Sequence, residues 1–230
     1  MDLIKRVFYY IKRRHPTIEY NVTRDDYDAN KYWNDRHDKY GIETLKGVGF
    51  EGKSEDENYA EYEDAKHVFT GLLNSLNLLS PNKVLELGYG TGFYTKILNT
   101  LTAQYTGIDI VDTHKNSIKK QVNNNFTFLK GDVGKKSVEI EGCDLIYMID
   151  VTQHIVNNDK LDFCLRNNVQ NNMMLGGVFI VTDELSDKDI SFYEKTRSVN
   201  YYLNVLDKCE LARDPIQFRD KYIFAFKRVK

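Results

Sequence analysis

The stretch that decides the fold is Val84-Leu85-Glu86-Leu87-Gly88-Tyr89-Gly90-Thr91-Gly92-Phe93. An apolar strand ends at an acidic residue and enters a turn with glycine at every second position, and a helix begins near Phe93. Glycines allow positive φ and carry no Cβ, so a ligand can lie directly against the backbone. The helix N-terminus that follows offers free N–H groups to the same ligand. The segment therefore predicts a ligand site where the first strand of an α/β sheet ends.

The glycine spacing distinguishes two classes of ligand. Dinucleotides use G-x-G-x-x-G, with the pyrophosphate at the helix start. Here the third glycine, Gly92, comes one position early, and Phe93 occupies the place that the dinucleotide pattern reserves for glycine. The acidic residue before the loop, Glu86, would oppose a pyrophosphate but suits the ammonium or sulfonium end of an amino-acid cofactor. The pattern favours such a cofactor, and a nicotinamide-dependent oxidoreductase is the alternative.

The chain changes character near Ser80–Pro81, after which short β-branched strands alternate with helical stretches. This alternation predicts a mostly parallel Rossmann-like α/β sheet with an antiparallel terminal pair at its edge, seven strands in all. We expect an N-terminal helical lid segment over 1–76 and the sheet domain over 77–230. Predicted strands are 83–87, 105–108, 126–130, 145–149, 178–182, 210–218 and 222–228, and predicted helices are 93–101, 113–122, 159–174 and 190–206.

Three acidic residues follow successive predicted strands behind the glycine loop. Asp109 ends the second strand, where a carboxylate can accept both ribose hydroxyls of an adenosine. Asp132 follows the third strand and can accept from an adenine amino group, and Asp150 follows the fourth. Each aspartate alone is weak evidence, because aspartate is common in turns. Their order behind the glycine loop indicates an adenosine ligand in the crevice of an open sheet.

Val84–Phe93, Asp109, Asp132 and Asp144–Asp150, with the terminal strand pair, together resemble the class I S-adenosylmethionine-dependent methyltransferases. The resemblance covers Asn77 to Lys230 and implies S-adenosylmethionine as cofactor and S-adenosylhomocysteine as product. The chain departs from the family at Tyr89, where members often carry a small residue or cysteine. The cofactor-binding residues that the resemblance implies are Glu86, Gly88, Tyr89, Gly90, Gly92, Asp109, Ile110, Asp132, Val133 and Ile149.

Methyl transfer requires alignment of a nucleophile with the methyl group, and a hydroxyl acceptor also gains from a base. His154 follows the fourth strand on the crevice side, and its ordinary pKa suits proton abstraction. A histidine at this place in small-molecule methyltransferases either is catalytic or shapes the pocket, and both roles stay open. Asp150 is the second catalytic candidate, because it could orient His154 or contact the cofactor. Asp183, after the fifth strand, is a candidate for acceptor binding.

The N-terminal region contains a concentration of aromatic and basic groups between Tyr27 and Gly41. Such a stripe either belongs to the core or closes over the cofactor and contacts the acceptor. The candidate acceptor-binding residues here are Tyr32, Trp33, Arg36 and His37. A shorter resemblance, over 32–37, 48–49 and 54–58, is to methyltransferases of surface-polysaccharide gene clusters. It implies a sugar, a nucleotide sugar or a glycan-linked alcohol or amine as the acceptor.

The global properties limit the partners. A net charge of −2 on 230 residues gives no basic field for nucleic acid, so we expect a small-molecule acceptor, and a protein acceptor is an alternative. Three widely spaced cysteines suit reduced thiols in the cytoplasm, and we expect no metal site. Met1–His15 reads as a basic amphipathic helix. It would pack on its own domain or in a homodimer, which we favour, or touch an anionic membrane surface weakly.

Overall fold

A computed structural model describes residues 27–41 and 44–230, so the predicted helix at Met1–His15 lies outside the described residues. The structure is built around an eight-stranded sheet of β1 (Lys83–Leu87), β2 (Gln104–Asp109), β3 (Phe126–Lys130), β4 (Cys143–Met148), β5 (Met173–Asp183), β8 (Cys209–Leu211), β9 (Ile216–Phe218) and β10 (Lys221–Arg228). β6 (Lys188–Ser191) and β7 (Glu194–Thr196) form a separate antiparallel hairpin.

The order of strands in the sheet is β3-β2-β1-β4-β5-β10-β8, and β9 also pairs with β10. β1 to β5 are parallel, and β10 runs antiparallel to β5, β8 and β9. The chain moves outward from β1 to β3 and then crosses back to place β4 on the other side of β1. Open α/β sheets bind ligands at such a reversal, outside the carboxyl ends of the strands. The predicted Rossmann-like sheet is confirmed.

Helices cover both faces of this sheet. They are α1 (Ala29–Tyr40), α2 (Glu55–Ser75), α3 (Phe93–Ile97), α4 (Lys115–Lys119), α5 (Asn158–Phe163), which continues as a π-helix (Cys164–Gln170), and α6 (Val199–Val205). Short 3-10 helices span Leu45–Gly47 and Thr152–His154. No helix in the described part of the chain is long and apolar enough to cross a membrane.

The strands of the sheet alternate their apolar side chains between two cores. On one face, Phe69 and Leu73 of α2 pack with Val84 and Tyr147. On the other face, α5, the π-helix and α6 cover the alternate strand residues, such as Leu85. α2 begins at a capping box, in which Ser54 and Glu57 exchange side-chain and backbone hydrogen bonds. α2 therefore belongs to the same core as the sheet, although the sequence assigns it to the N-terminal segment.

The predicted helix over 159–174 ends at Gln170, because β5 begins at Met173, and two predictions nearer the C-terminus are also wrong in part. The predicted helix over 190–206 begins only at Val199, and the hairpin β6–β7 precedes it. The predicted strand over 210–218 is two strands, because Pro215 has no N–H for the ladder. β8 and β9 then pair with different parts of β10, which lies inside the sheet rather than at its edge and raises the number of strands to eight.

The hairpin is held by tertiary contacts that local propensity cannot show. Arg197, which is 1% exposed, follows β7 and donates to the carbonyl oxygens of Thr152 at 3.0 Å and Ile155 at 2.7 Å. The same guanidinium contacts Asn158 Oδ1 at 3.1 Å. A buried guanidinium is stable only when its donors find such acceptors. Arg197 therefore fixes the hairpin against the turn that carries His154.

Candidate active site

A cavity of about 670 Å³ lies at the carboxyl ends of β1, β2 and β4, at the reversal of strand order. Such a volume suits a cofactor-sized ligand. The predicted cofactor residues that line the cavity are Glu86, Gly88, Tyr89, Gly90, Asp109, Ile110, Asp132, Val133 and Ile149. Gly92 is absent from the lining, because the side chain of Ile118 lies against it. The structure thus brings nine of the ten together around one space.

Two glycines of the loop combine a left-handed φ with a close neighbouring side chain, which leaves little room for any other residue. Gly88 has φ 89°, and a Cβ there would clash with the side chain of Val151. Gly90 has φ 49°, and its Cβ would come within 3.0 Å of Val48 Cγ1. Both φ values lie in the left-handed region, which costs other residues about 1–2 kcal/mol. The loop therefore keeps its backbone close to the cavity only with glycine at these two positions.

Asp109 connects the glycine loop to β2. Its Oδ2 accepts from the N–H of Gly90 at 2.8 Å, and its Oδ1 accepts from the N–H of Val111 at 2.9 Å. Burial raises the pKa of Asp109 to about 6, although these N–H groups favour the carboxylate. Near neutral pH the side chain is therefore mostly an anion at the cavity wall, which is the form that accepts from ligand hydroxyls.

Asp132 faces the same cavity from the loop after β3. Its Oδ1 accepts from the N–H of Gly134 at 3.0 Å, and Lys135 Nζ lies 3.2 Å from its Oδ2. Val133 lines the cavity beside it. This arrangement combines a polar edge with an apolar contact, as a planar base requires.

Glu86 is 2% exposed and holds the base of the loop from inside. Its Oε2 accepts from the hydroxyls of Thr95 at 2.6 Å, Tyr147 at 2.7 Å and Tyr105. Burial raises the pKa of Glu86 to about 7, against the effect of these hydroxyls. Glu86 therefore joins β1, β2, β4 and α3 at the cavity floor.

The cavity's other wall is built from side chains. The ring of Trp33 on α1 meets the ring of His154 edge-on, with centroids 4.9 Å apart. Nδ1 of His154 lies 3.2 Å from the carbonyl oxygen of Tyr193, and the two rings are parallel within 8°. A carbonyl accepts only, so Nδ1 carries the proton and Nε2 carries the lone pair. Nε2 lies 3.4 Å from the amide nitrogen of Gln153. Burial lowers the pKa of His154 to about 3.

Asp150 contacts other partners than His154. It has φ 61°, and its N–H donates to Thr182 Oγ1 at 2.8 Å. Its carboxylate pairs with Arg219 and with Lys221 Nζ at 2.9 Å. The predicted orientation of His154 by Asp150 is therefore absent from the geometry, although both residues line the cavity.

The four lid candidates on α1 divide by helical face. Trp33 and His37 line the cavity, and His37 Nδ1 lies 2.7 Å from His114 Nε2. Burial lowers the pKa of His37 to about 4. Tyr32 and Arg36 lie on the adjoining face and are absent from the lining. Tyr32 stacks on Tyr193, and Arg36 donates to the carbonyl oxygens of Gly49 and Lys46.

Asp183 is a third acceptor candidate, after Tyr32 and Arg36, that is absent from the cavity lining. It is 1% exposed and accepts from the Tyr202 hydroxyl at 2.6 Å and from the N–H of Arg197 at 3.0 Å. Burial raises the pKa of Asp183 to about 6. Its carboxylate is thus occupied beneath the hairpin.

Several lining residues were missed by the sequence analysis: Tyr27, Asp28, Val48, Tyr62, Tyr94 and Lys160. Tyr94 and Tyr89 both line the cavity, and each has a buried hydroxyl without a hydrogen-bond partner among the described residues. The sequence contains one signal for Tyr94, which is its position directly after the glycine loop.

Residues 84–170 match a protein-family model described as a methyltransferase domain. A search of curated protein sequences returned no match. The N-methyltransferase NodS from Bradyrhizobium japonicum WM9, solved with S-adenosylhomocysteine, is similar with a TM-score of 0.60 at 15% identity, over 74% of this chain and 88% of that one. A S-adenosylmethionine-dependent methyltransferase from Clostridium acetobutylicum ATCC 824 has the same score and identity, over 88% and 100%.

The DhpI–SAH complex is similar with a TM-score of 0.59 at 16% identity, over 87% of this chain and 94% of that one. At such identities the likeness concerns the fold. It agrees with the strand order, the glycine loop and the aspartates after β2 and β3 described above. Residues 84–170 are therefore similar to a methyltransferase domain, and the fold of the chain is that of the class I S-adenosylmethionine-dependent methyltransferases.

Proposed function

We propose that this chain transfers the methyl group of S-adenosylmethionine to an amine or hydroxyl of a small molecule and releases S-adenosylhomocysteine. The charge of the cavity is the observation that carries the proposal. Five acidic side chains line it, from Asp28, Glu86, Asp109, Asp132 and Asp150, against two lysines, and burial keeps Glu86 partly protonated near neutral pH, because it raises its pKa to about 7. An acidic lining beside a bare glycine loop suits a ligand with sulfonium and ammonium charges.

The residues present fit this cofactor. The backbone of Gly88 and Gly90 lines the cavity, and Asp109 offers its carboxylate to ribose hydroxyls. Asp132 and Val133, which line the same cavity, would hold the adenine. Two similar structures, NodS and DhpI, hold S-adenosylhomocysteine.

The same features disfavour the nicotinamide alternative. A pyrophosphate would add two negative charges beside Glu86 and Asp109. α3, the helix after the loop, has only five residues, so it has little dipole to offer an anion.

The bound cofactor would supply an electrophilic methyl group. This chain's own residues would align the acceptor and exclude water, through Trp33 and His154 on one side and the glycine loop on the other. A sugar or glycan substituent as acceptor is supported only by the resemblance of the N-terminal region. The buried thiols of Cys143 and Cys164 are consistent with action in the reducing cytoplasm.

Ligand titration of the purified chain tests the proposal. At about 100 times its dissociation constant, S-adenosylhomocysteine should raise the free energy of unfolding by about 2.7 kcal/mol, whereas NAD should leave it unchanged. Calorimetry should then show S-adenosylhomocysteine binding at one site per chain. Stabilisation by NAD alone would instead establish the oxidoreductase alternative.

A further inference from the structure

The charges of the cavity are unevenly placed, and this bears on the acceptor. Lys135 and Lys160 are the only cationic side chains in the described lining. Lys135 pairs with Asp132, and Lys160 packs against Gly134 in the same loop, so both lie at the adenine end. The opposite end, between Trp33 and His154, has no lysine or arginine in its described lining. Two cations lie outside this lining: Arg36 donates to two backbone carbonyls, and Lys221 pairs with Asp150. A phosphate or carboxylate on the acceptor would therefore find no counter-charge in the lining itself.

The surroundings of His154 determine its protonation. The ring is buried, and the two cations that act on it, Arg36 of α1 and Lys221 of β10, lie outside the cavity lining, with Lys221 paired to Asp150. The rings of Trp33 and Tyr193 cover it, and its Nδ1–H is bound to a carbonyl. A catalytic base of the serine-protease type has a carboxylate at this nitrogen, which stabilises the imidazolium. His154 has none, so the ring stays neutral and keeps the Nε2 lone pair.

Such a histidine suits one kind of nucleophile. A hydroxyl must lose its proton as it attacks, and a buried ring whose Nδ1–H is bound to a carbonyl rather than a carboxylate holds that proton poorly. An uncharged amine already has a lone pair and needs only to be oriented. Its nitrogen forms the new C–N bond with that pair as the S–C bond breaks and its electrons remain on sulfur. The methylated ammonium then releases a proton to solvent.

We propose, on the basis of the proposed function, that the acceptor is a small amine without anionic groups. It enters between Trp33 and His154, and His154 Nε2 accepts one N–H in place of the Gln153 amide, which directs the amine lone pair at the methyl group. The exposed carboxylate of Asp28, a lining residue at the start of α1, attracts the ammonium form from solution. The aromatic interior then favours its uncharged form, because burial disfavours a charge. Nucleotide sugars are excluded by the same geometry.

The first test compares matched acceptors on the full chain. Ethanolamine, glucosamine and cyclohexylamine are each paired with the hydroxyl isostere: ethylene glycol, glucose and cyclohexanol. Glucosamine 6-phosphate is the anionic member. Two quantities are measured, the S-adenosylhomocysteine formed and the fluorescence of Trp33, the chain's single tryptophan, with S-adenosylhomocysteine bound. We expect at least one amine to change the fluorescence and to react at least 20-fold faster than its hydroxyl partner. The phosphate should abolish both effects.

The second test assigns the pH dependence. For an amine that reacts, the acidic limb of kcat/KM should follow the amine's own pKa, so a β-fluorinated analogue of lower basicity should move the limb by the difference between the two pKa values. His154→Ala should lower kcat/KM at least 20-fold, leave the limb in place and leave S-adenosylhomocysteine affinity unchanged. His67→Ala, on the exposed surface of α2, is the matched control and should behave as the parent chain.

The outcomes separate the two proposals. Failure of S-adenosylhomocysteine to bind would overturn the proposed function. Binding of S-adenosylhomocysteine with equal use of the hydroxyl partners, with use of the phosphorylated amine, or without any response to the three amines, would overturn only the acceptor proposal. A limb that disappears in His154→Ala would show that His154 is a base.

Discussion

The two halves of the cavity are built differently. The half proposed for the cofactor consists of backbone and acidic side chains at the ends of β1, β2 and β3, and the N–H of Gly90 donates to Asp109 there. The half proposed for the acceptor is lined by the rings of Trp33 on α1 and His154 in the turn after β4, and Tyr193 of the hairpin packs against His154 from outside the lining. The residues of the first half can thus be predicted from local sequence, whereas those of the second are brought together only by the fold.

The largest effect should come from Gly88→Ala in the cofactor half. The left-handed φ and the clash with Val151 should together lower the free energy of unfolding by on the order of 4 kcal/mol and remove S-adenosylhomocysteine binding. Denaturant titration and calorimetry measure both. Gly142 has a similar φ of 81°, and no atom lies within 4 Å of a Cβ added there. Gly142→Ala should therefore lower the free energy of unfolding only by the cost of the left-handed φ. Equal losses in the two variants would show that the contact with Val151 is unimportant.

Glu86→Gln tests whether the buried Glu86 carboxyl makes the free energy of unfolding depend on pH. The pKa of Glu86 is raised by burial from 4.5 to about 7, so the folded state binds the proton more tightly than the unfolded state. Its contribution is fully present below pH 4.5 and is lost as pH rises to about 7. Relative to the variant, the free energy of unfolding of the parent chain should fall by on the order of 3 kcal/mol between pH 4.5 and about 7. Denaturant titrations at pH 4.5 and 8 measure it.

The control for Glu86→Gln is Glu210→Gln on β8, where the glutamate is exposed. The free energy of unfolding of this control should depend on pH as it does in the parent chain. If Glu86→Gln showed the same dependence as the parent chain, the Glu86 carboxyl would not be protonated in the folded chain near neutral pH.

Asp109→Asn should weaken the cofactor half without unfolding it. Asparagine keeps one oxygen for the Gly90 N–H but loses the charge and the second acceptor. We expect the affinity for S-adenosylhomocysteine to fall about 30-fold, since hydrogen bonds to a charged group contribute about 2 kcal/mol. Calorimetry measures it, with Asp112→Asn as control, because Asp112 is outside the lining and pairs with Lys130. Equal affinities in both variants would remove Asp109 from the ribose site.

The predictability of the site follows the same division. Glycine spacing and the residues after strands are local signals, and nine of the ten cofactor candidates line the cavity. Gly92 is the tenth candidate and is absent from the lining, because the side chain of Ile118 lies against it. Trp33 and His37 are one helical turn apart and share the cavity face of α1. Tyr32 and Arg36 fall on the adjoining face, which a composition argument cannot separate.

The missed parts of the acceptor half depend on distant residues. Tyr193 was assigned to a helix, because nothing local shows that Arg197 holds the hairpin against Thr152 and Ile155. Arg219 follows Asp150 by 69 positions, so their ion pair could not be foreseen. Asp183 ends a central strand, yet the hairpin and Tyr202 cover it. Strand ends are visible in the sequence, whereas what covers them is not.

The smallest effect should come from Tyr193→Ala, which tests whether the two halves are independent. The ring of Tyr193 stacks on Tyr32 at 4.9 Å and lies parallel to His154 at 5.7 Å, so its loss should loosen α1 over the acceptor end. Aromatic pairs of this kind contribute about 0.5–1.5 kcal/mol each, which predicts an acceptor KM raised about tenfold. The affinity for S-adenosylhomocysteine, measured by calorimetry, should not change.

Tyr193→Phe keeps the ring and removes only the hydroxyl with its hydrogen bond to Tyr32. It should keep a KM close to the parent's, because the stacked ring is what holds α1 over the acceptor end. A parallel fall in cofactor affinity in Tyr193→Ala would mean that α1 closes both halves together, through Asn30 and its hydrogen bond to the carbonyl of Ile110. An unchanged cofactor affinity with a raised KM would mean that the hairpin acts on the acceptor alone, and that acceptor specificity can change in this fold without any change at the glycine loop.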